Sequence, residues 1–126
     1  MAKILVVDDE RDIQMLFEQH FRKEIKSGEL SFVFSFSAEE ALGYINKPEH
    51  EAVLILSDIN MPGMSGLELL KLIREKYKKP PPVVMIITAY GDENNYRLAM
   101  KLGADDFLTK PLDFRSLKEK LKAIIQ

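Results

Sequence analysis

The 126-residue sequence contains no cysteine, no long apolar run and no large excess of charge of one sign. Without cysteine the chain cannot form disulfides, thiolate metal sites or a thiol nucleophile, which is typical of proteins in a reducing compartment. The longest apolar run, from Val83 to Ala89, is far shorter than the roughly 20 residues that cross a bilayer. A formal net charge of −2 provides no attraction to nucleic acid or to anionic lipid.

The remaining composition is that of one globular domain. Apolar residues make up 46% and charged residues 30% of the chain, a balance typical of folded proteins. The length fits a single domain, 1–126, with one core. The N-terminus enters a predicted strand at once and shows no signal peptide, so we expect a cytoplasmic protein with no membrane and no direct nucleic-acid partner. The sequence also lacks the glycine-rich loop, followed by Lys and Ser or Thr, that binds nucleotides.

Five short apolar segments have the length and composition of buried strands, and helical patterns separate them. The predicted strands cover 2–7, 32–36, 52–57, 83–87 and 106–109. Ser27-Gly28 is a stop signal that ends the first predicted helix. The start signals are Ser37 before the second helix, Asp92 or Glu93 at the start of the fourth, and Asp113 before the fifth. The lysines of the last helix should form a solvated face. This alternation predicts an α/β fold, a doubly wound five-stranded parallel sheet covered by five helices.

Polar side chains directly follow four of the predicted strands. Asp8 and Asp9 follow the first strand, Asp58 the third, Thr88 the fourth and Lys110 the fifth. Parallel strands end at the same edge of a sheet, and open α/β sheets bind their ligands at that edge. The sequence therefore predicts that three carboxylates, a hydroxyl and an ammonium group converge on one place.

The residue types in this set favour chemistry on a phosphate. Carboxylates that lie close together repel one another and raise one another's pKa unless a cation joins them. Oxygen ligands without His or Cys favour a hard ion, so we expect Mg²⁺, with Mn²⁺ as an alternative. Mg²⁺ often completes its coordination with a phosphate oxygen, which a lysine and a hydroxyl donor would also bind. An ionised carboxylate can attack phosphorus without a general base.

Four short motifs in the chain resemble those of the receiver domains of two-component response regulators. They are VVDDE at 6–10, SDINMPG at 57–63, ITA at 87–89 and TKP at 109–111. The resemblance extends from about Lys3 to Ile125. It implies a flavodoxin-like sheet with strand order 2-1-3-4-5, so that the first and third strands lie side by side. It also implies a single receiver domain without an output domain, which acts as a phosphorelay switch and not as an enzyme.

The resemblance also assigns the acceptor and the metal ligands. Asp58 would accept the phosphoryl group from a phosphohistidine on a sensor histidine kinase or a histidine phosphotransfer protein. Asp9, Asp58 and the backbone carbonyl of Asn60 would bind Mg²⁺ directly, and Asp8 would act mainly through metal-bound water.

Further roles fall on residues of the last two strands. Thr88, Ala89 and Lys110 would bind the phosphoryl oxygens, and the Lys110–Pro111 peptide bond should be cis. Phe107 occupies the position of the family's switch aromatic, often tyrosine, which turns inward when Thr88 is drawn to the phosphoryl group. Because Phe107 lacks a hydroxyl, packing alone must distinguish the two states of the switch.

Two further positions, Asn60 and Tyr90, would modulate the phosphorylated state. Tyr90 is bulky and follows the threonine by two residues, so we hypothesise that it covers the acyl phosphate and slows attack by water. The switch would act on the predicted fourth helix, fifth strand and fifth helix. That surface would bind an unknown downstream protein, and the chain would be a monomer or a phosphorylation-dependent dimer.

Other interpretations of the same residues remain open. Asp8 and Asp9 would suit a helix N-terminus, Asp58 a turn and Phe107 the core. An aspartyl-phosphate phosphatase of the haloacid-dehalogenase type is an alternative function. That chemistry needs an acid two residues after the nucleophile, where this chain has Asn60. A flavin-binding flavodoxin relative is a second alternative, but its phosphate would be repelled by the acidic residues at 8–10.

Overall fold

The computed structural model describes residues 2–48, 50–89 and 93–125. Within these ranges it contains a five-stranded, all-parallel sheet with the order β2-β1-β3-β4-β5. The strands are β1 (Ala2–Val7), β2 (Leu30–Ser35), β3 (Ala52–Asp58), β4 (Val83–Thr88) and β5 (Asp106–Thr109). The predicted α/β class and strand order are confirmed. The central strands read as continuous apolar runs because helices cover both faces of the sheet.

The helices form one layer on each face of the sheet. They are α1 (Asp12–His20), α2 (Arg22–Ser27), α3 (Ala38–Ile45), α4 (Gly66–Lys76), α5 (Glu93–Lys101) and α6 (Phe114–Ile125). One core cluster joins α3, α4 and α5 to the sheet, and a second joins α1 and α6 to the opposite face. In the described part of the chain, no helix combines the length and the apolar character needed to cross a bilayer.

The prediction of five helices is wrong, because the first predicted helix is divided in two at Phe21. Phe21 has φ −109° and ψ 22°, outside the helical region, and its ring is fully buried. The preceding carbonyl, of His20, accepts a hydrogen bond from Lys118 Nζ at 3.2 Å. A side chain that binds a helix carbonyl from outside is a known cause of a kink. The predicted end is confirmed: α2 ends at Ser27, and Gly28 adopts a left-handed conformation with φ 82°.

On the predicted solvated face of α6, Lys118 and Lys120 are partly exposed and pair with acids, whereas Lys122 is exposed as predicted. Lys118 Nζ lies 3.2 Å from a carboxylate oxygen of Glu24, whose side chain is only 7% exposed. Lys120 Nζ lies 2.6 Å from Asp106 Oδ2. These contacts tie α6 to α2 and to β5, and they depend on residues far away in the sequence.

Two predicted helix caps are present, and a third adds to them. The Ser37 side chain accepts a hydrogen bond from Glu40 N, and Asp113 Oδ1 accepts from two backbone amides at the start of α6. Ser65 and Glu68 form a complete capping box at the start of α4, which the sequence pattern alone did not single out. Each cap satisfies amides that have no partner inside the helix.

The start of α4 lies against the end of β3. Gly66 N donates a hydrogen bond to Ile59 O at 2.9 Å, and Gly66 is buried. A Cβ atom at position 66 would overlap the backbone carbonyl oxygen of Asp58 and approach Ile59 Cα to 3.0 Å. Glycine is therefore required here for close approach of two backbone segments.

We expect Gly66→Ala to lower the free energy of unfolding by about 3 kcal/mol, because neither backbone segment can move aside. Gly43→Ala is the matched control, because no atom lies within 4 Å of a Cβ at that exposed position inside α3. It should raise the free energy of unfolding by about 0.5 to 1 kcal/mol. Urea denaturation of both variants measures the two changes, and equal effects would contradict the close approach at Gly66.

Candidate functional site

Adjacent strands bring three carboxylates together at the carboxyl edge of the sheet. β1 pairs directly with β3, with Val7 opposite Ser57, so Asp8 and Asp58 leave the sheet side by side. One carboxylate oxygen from each of Asp8, Asp9 and Asp58 lies within 4.8 Å of the others. Asp8 and Asp58 are buried, with 3% and 6% of their surface exposed, whereas Asp9 is more open to solvent.

The ammonium group of Lys110 lies beside this cluster. Its Nζ is 3.0 Å from Asp8 Oδ2, 3.6 Å from Asp58 Oδ2 and 3.7 Å from Glu10 Oε1. The backbone fixes the position of the lysine, because Lys110 N donates to Thr88 O at 2.6 Å. The peptide bond between Lys110 and Pro111 is cis.

Backbone amides orient the two buried carboxylates toward the lysine. Asp8 Oδ1 accepts a hydrogen bond from Glu10 N, and Asp58 Oδ1 accepts one from Ile59 N, each at 3.0 Å. The remaining oxygen of each group, Oδ2, is the one that faces Lys110. The site therefore presents two oriented carboxylate oxygens to a single ammonium group.

Burial and the negative charge of Asp8 together raise the pKa of Asp58 to about 6, because the charge of Lys110 and the hydrogen bond from Ile59 N offset only part of their effect. Burial alone would lower the pKa of Lys110. The hydrogen bond from Lys110 to Asp8 and the charge of Asp58 outweigh that effect, so the pKa of Lys110 is raised. The ammonium is thus held in its charged form by the acids around it.

The donor set fits a divalent hard cation. Asp8, Asp9 and Asp58 form a cluster of three carboxylates, and the single ammonium of Lys110 contacts two of them, so the negative charges in the cluster outnumber the positive one. All the candidate ligands are oxygens, which suits Mg²⁺ better than a metal that prefers nitrogen or sulfur. The pKa of Asp58 is raised first by burial and then by the negative charge of Asp8, which Lys110 offsets only in part.

The other predicted site residues lie at the same edge of the sheet or near it. Thr88 ends β4 and is buried, and Ala89 follows it in an exposed position. Asn60 is exposed two residues after Asp58. Phe107 is half-buried on β5. Tyr90, predicted to cover the acyl phosphate, lies outside the described residues.

Two contacts at the site were not predicted from the sequence. Glu10 approaches Lys110, and its position directly after two aspartates was the available signal. Glu39 Oε2 accepts a hydrogen bond from Met64 N at 3.1 Å and so ties the loop between β3 and α4 to the start of α3. No local pattern indicates that contact, because the two residues are 25 positions apart.

The family comparison agrees with this geometry. A family model described as the response regulator receiver domain matches residues 4–122. The chain belongs to the response-regulator receiver family. Among curated proteins, the transcriptional regulatory protein CpxR of Escherichia coli K12 is 32% identical over all 126 residues. The chain spans about half the length of the curated relatives it matches, 50% in the case of CpxR.

Solved structures of receiver domains have the same fold. A CheY-like receiver domain protein from Methanospirillum hungatei JF-1 is 28% identical, with a TM-score of 0.85 over 99% of this chain and 94% of that one. The response regulator TrrA of Thermotoga maritima, solved in complex with Mg²⁺ and beryllofluoride, is 34% identical. Its TM-score is 0.78 over 98% of this chain and 99% of that one. Receiver domains are thus similar to this chain over nearly its whole length.

Asp58→Asn should stabilise the protein in Mg²⁺-free buffer at pH 7. The folded protein raises the pKa of Asp58 from 3.8 to about 6, so ionisation of this carboxyl opposes folding above pH 6. Removing the charge should raise the free energy of unfolding by about 1 to 3 kcal/mol. The difference in the free energy of unfolding between this variant and wild type should shrink as the pH falls from about 6 to about 4, because protonation then neutralises Asp58 in the wild type. Urea denaturation at several pH values measures it.

Asp105→Asn is the control, because it should change the free energy of unfolding in the opposite direction. Asp105 Oδ2 accepts hydrogen bonds from Arg74 Nη2 at 2.7 Å and from Val84 N at 2.8 Å, so its charge is compensated in the fold. This variant should be less stable than wild type at pH 7. If both substitutions destabilised the protein equally, the account of Asp58 as an uncompensated charge would be wrong.

Proposed function

We propose that this receiver domain is a phosphorylation switch in which Asp58 accepts a phosphoryl group from a phosphohistidine. The donor would be a sensor histidine kinase or a histidine phosphotransfer protein. The observation that carries the proposal is the geometry around Lys110, where Oδ2 of Asp8 and Oδ2 of Asp58 both face one ammonium group. Asp9 completes the acidic cluster. Membership of the receiver family supports the same assignment.

The reaction needs an ionised carboxylate at Asp58. With a pKa of about 6, most of this group is ionised at pH 7, so no general base has to remove a proton. Asp58 Oδ2 attacks phosphorus, a bond between oxygen and phosphorus forms, and the bond from phosphorus to the donor imidazole nitrogen breaks. The imidazole leaves with its electron pair, and an acyl phosphate remains on Asp58. Asp58 Oδ1 stays bound to Ile59 N and keeps the carboxylate oriented.

The residues around Asp58 would hold the charge of the incoming group. Asp8, Asp9, Asp58 and the backbone carbonyl of Asn60 would bind Mg²⁺, which neutralises phosphoryl oxygens when it is bound. Lys110 Nζ lies 3.6 Å from Asp58 Oδ2 and is close enough to exchange its bond with Asp8 for one with a phosphoryl oxygen. Thr88 and Ala89 would supply the remaining donors at the end of β4.

The conformational response would pass from Thr88 to Phe107 and then to the surface formed by α5, β5 and α6. These elements correspond to the fourth helix, fifth strand and fifth helix of the sequence prediction. A complete change of population between the two states, from 1:99 to 99:1, needs about 5.5 kcal/mol of differential stabilisation. We therefore expect a partial shift. The output is the binding of another protein, and the chain acts as a cytoplasmic signalling switch, not as an enzyme with turnover. The relative CpxR is a transcriptional regulatory protein.

The phosphatase alternative lacks support. Position 60, where the haloacid-dehalogenase type needs an acid, is asparagine. The family match covers residues 4–122 and identifies a receiver domain.

Incubation with acetyl phosphate and Mg²⁺ should add the mass of one phosphoryl group to the intact protein. The label should be stoichiometric, should require Mg²⁺ and should be absent from Asp58→Asn. Intact-mass spectrometry under conditions that preserve acyl phosphates provides the measurement. Asp12→Asn, an exposed aspartate in α1, is the matched control and should be labelled like wild type.

Labelling of Asp58→Asn at the wild-type level would contradict the assignment of the acceptor. Continuous release of phosphate from small phosphomonoesters over many turnovers would instead favour the phosphatase. Lys110→Ala should still be labelled, but it should lose the structural response to acetyl phosphate, because the ammonium no longer links the phosphoryl group to β5.

Mg²⁺ should stabilise the folded protein even without phosphorylation. At a concentration ten times its Kd, a ligand that binds only the folded state raises the free energy of unfolding by about 1.4 kcal/mol. Urea denaturation in increasing MgCl₂, with NaCl at matched ionic strength as control, measures this effect. Asp9→Asn should weaken it. An equal response to NaCl and MgCl₂ would show that the carboxylate cluster does not bind the ion.

A further inference from the structure

The loop between β3 and α4 carries Asn60, whose backbone carbonyl is a proposed ligand of Mg²⁺. Backbone hydrogen bonds hold the residue before it. Ile59 N donates to Ile87 O at 3.0 Å, and Gly66 N donates to Ile59 O at 2.9 Å. These bonds fix Ile59 against β4 and against the start of α4. Neither of them involves a residue from 60 to 65, so the loop itself depends on other contacts.

Glu39 of α3 binds the backbone of this loop near its far end. Glu39 Oε2 accepts a hydrogen bond from Met64 N at 3.1 Å, although the two residues are 25 positions apart. A Cβ atom at position 63 would lie only 2.7 Å from the same carboxylate oxygen. Gly63 also has φ 78°, in the left-handed region that favours glycine. The loop backbone therefore has the shape that lets the Glu39 carboxylate approach closely.

The part of α3 that carries Glu39 is firmly anchored. Ala38 and Ala41 flank the two acids of its first turn and are fully buried. The helix also begins at a capped residue, because the Ser37 side chain accepts a hydrogen bond from Glu40 N at 3.0 Å. The carboxylate that binds the loop thus extends from a backbone that is fixed against the core.

We propose that Glu39 is a positioning residue that holds the loop of Asn60 in place for the binding of Mg²⁺. The inference rests on the proposed function, because the Asn60 carbonyl is a ligand only if the carboxylate cluster binds the ion. Glu39 acts through the Met64 amide and not as a ligand itself. A hydrogen bond to a charged acceptor is stronger than one between neutral groups. It restricts the loop before the ion arrives, so less conformational entropy is lost on binding.

Titration of the full ¹⁵N-labelled chain with MgCl₂ at constant ionic strength, followed by ¹H–¹⁵N NMR, measures the Kd for Mg²⁺. Glu39→Ala removes both the acceptor and the charge, and it should raise this Kd about tenfold, as loss of a partner outside the metal ligands commonly does. Glu39→Gln removes the charge but keeps a side-chain oxygen that can accept from Met64 N. It should therefore recover most of the affinity that the alanine variant loses.

Glu40→Gln is the matched control for the loss of charge. Glu40 is also an exposed acid of the first turn of α3, but the Met64 amide is bonded to Glu39. Its Kd for Mg²⁺ should stay close to that of wild type. Exchange of amide protons with D₂O in Mg²⁺-free buffer reports on the hydrogen bond itself. The Met64 amide should exchange faster in Glu39→Ala than in wild type, whereas the Gly66 amide, bonded to Ile59 O, should not change.

The outcomes distinguish this inference from the proposed function. A wild-type Kd in Glu39→Ala would overturn the role of Glu39 and leave the metal site and the acceptor intact. Equal increases of the Kd in all three variants would also overturn it, because the loss of charge would then explain the effect. So would faster exchange at Gly66 in Glu39→Ala, since the whole loop would then be loosened. Absence of a saturable response to MgCl₂ in wild type would contradict the proposed metal site and this inference together.

Discussion

Electrostatic repulsion among three carboxylates is the constraint on which the rest of this site depends. Asp8 and Asp58 are placed side by side by the pairing of β1 with β3, and Asp9 joins them at the mouth of the cluster. Lys110 directly follows β5, and its single positive charge compensates only part of the negative charge of the carboxylates. The fold thus holds a deficit of positive charge at one edge, and a divalent cation would resolve it.

Much of the fold and the site follows from local sequence, because the central strands are largely apolar and Asp8, Asp58, Thr88 and Lys110 stand at the ends of strands or directly after them. Asp8, Asp58, Thr88 and Lys110 could be placed at one edge from that pattern alone. The strand order needed the family resemblance, since alternation of strands and helices is compatible with several orders. The break at Phe21 could not be predicted, because it involves a bond from Lys118 to His20, 98 positions away.

Two further tertiary contacts could not be predicted from local sequence either. The bond from Met64 N to Glu39 joins a loop to the start of α3, and the packing of Tyr96 on Phe107 joins a helix to a strand. Both depend on tertiary distances that periodicity does not encode. One contact holds the loop after Asp58, the proposed acceptor, and the other connects β5 to α5. Strand ends thus bring the polar residues of the candidate site together, and side-chain packing connects that edge of the sheet to the helices around it.

The most direct test of the central claim is a ¹³C NMR titration of the Asp58 carboxyl carbon with and without saturating Mg²⁺. The account predicts a pKa of about 6 in the absence of Mg²⁺ and a marked decrease when the ion is bound, because the cation removes the repulsion from Asp8 and favours the ionised form. A pKa near the ordinary value of 3.8 that does not respond to Mg²⁺ would show that the carboxylates do not share an uncompensated charge.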